Sequence, residues 1–197
     1  MTKTRENILK TSFSLFLQRS FKEVTMNEIV DASGLSKGAF YHHFHSKEQL
    51  FVEVINSFFF DHMVIDYEVL SKNSLWDFYH DYARLLKKTL TAFKEYSSTK
   101  ANINYLTLMF DALNLFPGFR DKLREAQQKE LDAWTSVIAA SRKKGEFQSP
   151  MSDEQIARMF IYSNDGIGPH LLLNGNMDTA DQEMIQLWDN FYWELKD

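Results

Sequence analysis

Gly38, Tyr41 and His42 occupy one side of a short predicted helix, and Phe40 and Phe44 occupy the other. At about 100° per residue, the two Phe rings project within about 40° of each other, while the other three fall roughly 100–200° away. The rings would anchor the helix from behind. An outward face of Gly, Tyr and His is poor material for a core and good material for a groove. Gly38 lets the backbone approach closely, Tyr41 supplies an apolar body with a hydroxyl, and His42 can donate to a phosphate or a base edge. The run His42-His43-Phe44-His45 also offers imidazole nitrogens, but too few for a metal ligand set. The chain has no Cys, Gly-rich phosphate loop, His-Glu-x-x-His helix or nucleophile elbow. No metal, no cofactor and no enzymatic activity are therefore expected.

Such a helix needs elements to present it. Ile8, Leu9, Phe13, Phe16 and Leu17 recur at helical spacing and predict a first helix from Thr4 to Arg19. Thr25 with Glu28 forms a capping-box pattern that starts a second, closed at Ser33-Gly34, where glycine suits a positive φ. Ser36 caps the third, Lys37 to His43, and Ser46 caps a fourth running through Leu50, Phe51, Val54, Ile55 and Phe58. Helix, glycine-containing turn and second short helix make a helix-turn-helix. Longer amphipathic helices are predicted near 75–95, 100–114, 119–144, 153–174 and 180–195, with further capping boxes at Ser152 with Gln155 and at Thr179 with Gln182. No segment alternates with period two, so the fold class expected is all-α.

Composition agrees. With 44% hydrophobic and 25% charged residues the chain is globular, and 7 Gly and 3 Pro are too few for a turn-rich β architecture. Residues 1–50 hold seven Lys and Arg against five Asp and Glu (net +2), leaving 15 against 22 (net -7) in the remainder. A basic head on an acidic body suits a head that meets phosphate. The N-terminus lacks an apolar signal-peptide core, and the apolar cluster at Val54–Phe60 is far shorter than a membrane span. A soluble cytoplasmic protein is expected.

The segments Thr25-Met26-Asn27-Glu28-Ile29, Ala32-Ser33-Gly34-Leu35-Ser36-Lys37-Gly38-Ala39-Phe40-Tyr41-His42-His43-Phe44 and Ser46-Lys47-Glu48-Gln49-Leu50 together resemble the signature of the TetR family of bacterial transcriptional regulators. The likeness covers the first quarter of the chain. It implies an N-terminal three-helix DNA-binding domain (1–47), followed by a larger helical ligand-binding and dimerisation domain (48–197). It further implies that Thr25 and Lys47 contact backbone phosphate, and that Ser36, Lys37, Gly38, Ala39, Tyr41, His42 and His43 sit where the recognition helix meets operator DNA. One departure stands out. The family usually has Gly between its first two helices, where this chain has Arg19-Ser20-Phe21, so a side chain at Ser20 would strain or shift the turn.

In the larger domain, Tyr79, Tyr82, Tyr105, Met109, Phe110 and Trp134 are candidates to line an effector pocket, with Asn164 and Asp165 as polar contacts. Met184, Trp188, Phe191 and Leu195 repeat at spacings of four, three and four, a seam suited to a second copy of the chain. Tyr192, Gly166 and Gly168 join them as candidates for the homodimer interface. The function expected is a repressor released from a palindromic operator by a small apolar or amphipathic effector. The alternatives are an activator, or a ligand-free DNA-binding protein of the same fold.

Overall fold

The computed structural model describes residues 3–60, 65–96, 101–174 and 179–196; at 90, 92–96, 101–105 and 172–174 it describes the backbone alone. Ile8, Leu9, Phe13, Phe16 and Leu17 are buried on one face of α1 (Lys3–Gln18). Then come α2 (Met26–Ser33), α3 (Lys37–Tyr41) and α4 (Lys47–Ile55). Thr25, Ser36 and Ser46 cap them, each side chain accepting from the backbone N–H three residues on. The fourth helix does not run on as α-helix to Phe58. Asn56–Phe60 winds instead as a π-helical turn, which stacks Phe58 on Phe13 with centroids 4.3 Å apart.

A 3₁₀ turn at Tyr67–Val69 leads to α5 (Leu75–Tyr96), α6 (Ala101–Leu115), α7 (Phe119–Lys143), α8 (Asp153–Asn174) and α9 (Ala180–Lys196). Among the described residues there is no strand, and the fold is all-α. The box at Ser152 forms, with Ser152 N–H donating to Gln155 Oε1 at 2.8 Å and Gln155 N–H to Ser152 Oγ at 3.1 Å, while the Thr179 hydroxyl donates to Glu183 Oε1 at 2.6 Å. No helix among the described residues is long and apolar enough to cross a membrane.

Contacts group the chain into two compact units, Met1–Val64 with Thr89–Lys122, and Ile65–Lys88 with Leu123–Asp197. In the first, α6 packs against α1 and α4. Residue 47 is therefore no boundary between packed units. Leu50, Phe51, Val54 and Ile55 of α4 are buried, and Phe51 lies 5.3 Å from Phe16 and 4.9 Å from Phe21, ring centre to ring centre. The strain expected at Ser20 is absent, since no described residue other than glycine has a positive φ. The Ser20 N–H and hydroxyl both donate to Glu23 Oε2, at 2.9 and 2.7 Å, and close the turn without a glycine.

The second unit is built on an aromatic core of Tyr79, Tyr82, Trp134, Phe160 and Trp188. Here the sequence expectation needs correcting. Met184, Trp188, Tyr192 and Leu195 are buried inside their own subunit and cannot form an exposed seam for a second copy. Heptad-like spacing marks one face of α9 as buried but says nothing of what covers it. What covers it is this chain's own aromatics, with Trp134 at 5.4 Å and Tyr82 at 5.5 Å from Trp188. Phe191 is half-buried at 5.1 Å from Phe160, Gly168 is half-buried, and Gly166 is exposed.

Candidate nucleic-acid interface

Thr25 opens the site. Its Oγ1 accepts from Glu28 N–H at 3.3 Å, while Glu28 Oε2 accepts from Thr25 N–H at 2.7 Å and from the Thr25 hydroxyl at 2.8 Å. Arg19 then donates to the other Glu28 oxygen at 2.8 Å. The hydrogen bonds from Thr25, backbone first, and from Arg19 pull the Glu28 carboxyl down to about 2. A carboxyl held below its ordinary 4.5 contributes stability that is complete above that value and is lost as pH falls toward 2. Acid melts should therefore show a Glu28 contribution fading across that window, and Glu28→Gln should remove it. Thr25→Ala should cost about 1 kcal/mol of stability, a typical loss for an N-cap. Identical melts for wild type and Thr25→Ala would refute the capping role.

α2 ends where Gly34 adopts φ 68, a left-handed conformation that a side chain would resist. The chain then turns into α3. Phe40 and Phe44 have no exposed surface, while Lys37, Gly38, Ala39 and His42 are exposed and Tyr41 is 37% exposed. Ser36 is exposed too, its Oγ accepting from Ala39 N–H at 3.3 Å. His43 is half-buried, with its ring 5.3 Å from that of His42. Thus Ser36, Lys37, Gly38, Ala39, Tyr41 and His42 form one continuous polar face, with Thr25 exposed at the start of α2. Such a face can donate to phosphates and base edges while its anchoring rings stay dry.

Lys47 stands apart. Its Nζ donates to Phe21 O and Val24 O, each at 2.8 Å, and lies 4.3 Å from the centre of the Phe21 ring. Two of its three N–H groups thus point at the protein's own backbone.

Across residues 8–54 the chain matches the family described as bacterial regulatory proteins, tetR family. It is 26% identical over 179 residues to the transcriptional repressor KstR2 of Rhodococcus jostii, covering 90% of this chain and 83% of that one. With the regulator YerO of Bacillus subtilis it shares 50% identity over 50 residues, 25% of this chain but only 17% of that protein. Residues 8–54 thus carry the DNA-binding region of the TetR family. In structure it resembles NalD, the secondary repressor of the MexAB-OprM multidrug efflux pump in Pseudomonas aeruginosa, with a TM-score of 0.68, 20% identity, and 98% and 97% of the two chains covered.

The residues expected to line an effector pocket are divided between the two units. Met109 and Phe110 lie on α6 in the first unit, Phe110 being 63% exposed. The side chain of Tyr105 lies outside the described residues. Tyr79 and Trp134 are fully buried core residues of the second unit, and the Trp134 Nε1–H has no hydrogen-bond partner. Tyr82, Asn164 and Asp165 do gather, around a residue not foreseen. Glu130 Oε1 accepts from the Tyr82 hydroxyl at 3.1 Å, and Asn164 Nδ2 donates to the Tyr82 oxygen at 3.2 Å.

Burial and then the nearby Asp165 charge raise the Glu130 carboxyl, against the hydrogen bonds from Tyr82 and Tyr67. Asp165 keeps contact with solvent, yet the protein crowding it raises its carboxyl as well. Both carboxyls border a cleft of about 210 Å³ between α7 and α8, with Arg124, Leu131, Arg158 and Tyr162 also on its walls. Glu130 precedes Trp134 by one helical turn, so the sequence did hold a signal: an acid on the inward stripe of α7.

Proposed function

We propose that the chain is a ligand-responsive repressor that binds a roughly palindromic operator as a homodimer in the cytoplasm. The observation that carries the reading is the exposed Gly38–Tyr41–His42 face, held from behind by the buried Phe40 and Phe44. Two copies related by a two-fold axis would set two such faces into successive major grooves, about 34–36 Å apart. That KstR2 is named a repressor supports repression over activation.

The surface proposed for the second copy lies on α8 and α9. Gln155, Met159, Tyr162, Gly166 and Pro169 are exposed at alternating spacings of four and three, and Leu187 of α9 is 46% exposed. These take the place of the buried seam.

The effector would be small, since sites for drug-sized ligands span about 300–1,000 Å³. Its polar end would meet Glu130 and Asp165 in the cleft, which favours an amphipathic molecule carrying a hydrogen-bond donor or a positive charge. Effector and operator would weaken each other's binding by the same factor. Complete switching would need about 5.5 kcal/mol of differential affinity.

Selection of bound sequences from random duplexes, with and without candidate amphipathic ligands, tests all of this. Two inverted half-sites are expected, recovered less well in the presence of effector. Tyr41→Ala should weaken operator binding about tenfold, the cost of one good base-edge contact, without lowering the melting temperature. Failure to enrich any sequence would sink the DNA-binding reading. An effector whose dissociation constant ignores saturating operator would sink the ligand-responsive part.

A further inference from the structure

Phe21, in the turn between α1 and α2, is held from two sides by charged side chains that arrive from far along the chain. Its N–H donates to Asp111 Oδ2 of α6 at 2.9 Å, and its carbonyl accepts from Lys47 Nζ of α4 at 2.8 Å. The same ammonium takes Val24 O at 2.8 Å, the last carbonyl before the N-cap of α2. Among the described residues Lys47 has no carboxylate partner and Asp111 no cation. Each commits its charge to the backbone of one turn.

We infer that Asp111 and Lys47 are positioning residues for operator binding. By gripping Phe21 and Val24 they set the angle at which α2, and α3 after it, offers the Gly38–Tyr41–His42 face to a duplex. The inference rests on the DNA-binding reading above. It assigns Lys47 an inward role, with one N–H left over, in place of the phosphate contact that the family resemblance implies. It also gives Asp111 a part that no local sequence pattern announces, because its partner lies 90 residues away. Displacement of either α4 or α6 would be passed through Phe21 to the start of α2.

The test uses the full chain and a selected operator. Asp111→Ala deletes a negative charge from the DNA-binding unit, so charge alone would tighten binding to a polyanion. Lost positioning does the opposite. Operator affinity should fall about tenfold, the scale of losing one hydrogen bond to a charged group, with the slope of log affinity against log salt unchanged. Asp111→Asn keeps an oxygen that can accept from Phe21 N–H, and its affinity should return to within about threefold of wild type. Lys47→Met should cost less in the Asp111→Ala background than in wild type, because both side chains hold the same turn.

If Asp111→Ala melts below the assay temperature, Asp111→Glu serves in its place: it conserves charge, displaces the acceptor, and should also weaken binding. Folded Asp111→Ala or Asp111→Glu protein that binds as tightly as wild type overturns the inference. So does Asp111→Asn as weak as Asp111→Ala, or penalties that simply multiply in the double variant. A wild-type chain that selects no duplex would sink the DNA-binding reading and this inference with it. Binding by wild type with indifferent variants sinks this inference alone.

Discussion

Phe40→Ala is expected to abolish operator binding and to destabilise the first unit by about 3–5 kcal/mol. The helix that carries Phe40 is five residues long, far too short to persist without tertiary support. Its support is the pair of buried rings, Phe40 and Phe44, whose centres lie 6.4 Å apart. Truncating Phe40 leaves a void behind the outward face and frees Gly38, Tyr41 and His42 from a common orientation. Tyr41→Ala is the contrasting variant, because Tyr41 is 37% exposed and its loss should lower affinity while sparing stability. Thermal melts alongside operator titrations separate the two. An Phe40→Ala protein that melts with wild type and still binds would show that this helix is fixed by something other than its rings.

Trp188→Ala should cost about as much, roughly 3–5 kcal/mol, and the loss should be the same at every protein concentration. Its indole packs within its own unit, 5.4 Å from Trp134, 5.5 Å from Tyr82 and 5.6 Å from Phe160, and donates to Ser163 Oγ at 2.9 Å. Removing it opens a large cavity and deletes that hydrogen bond. Were Trp188 an intersubunit residue, its loss would instead weaken association, and the melting temperature would depend more steeply on concentration. Melts over roughly a hundredfold range of concentration distinguish the two cases. A penalty that vanishes at high concentration would return Trp188 to the interface.

The local grammar of the chain was readable before any coordinates. Thr25 with Glu28 and Ser152 with Gln155 each carry donor and acceptor within four residues, so their boxes form as the sequence predicts. Gly34 stops α2 for a reason confined to its own φ. The exposed face of α3 follows from a wheel and two Phe rings. What could not be read depends on partners distant in sequence. The apolar face of α9 looks the same whether a second copy or the chain's own Trp134 covers it. Met109 and Phe110 sit among apolar residues of a helix, and nothing nearby shows that α6 joins α1 and α4. Lys47 reads as an outward cation until the carbonyls at Phe21 and Val24 are found against it.

The π-helical turn at Asn56–Phe60 has a consequence for chain length. A wider coil takes up one more residue than an α-helical turn in the same stretch, so it is how a helix absorbs a single-residue insertion without unravelling. Here the extra residue keeps Phe58 against Phe13 and leaves Phe59 and Phe60 each 5.5 Å from Phe119. Deleting one residue early in the turn would regularise the coil and swing the Phe side chains after it by about 100°. The tilted contacts of the following rings with Phe119 would part. Drift in length at this point is therefore closed to the chain.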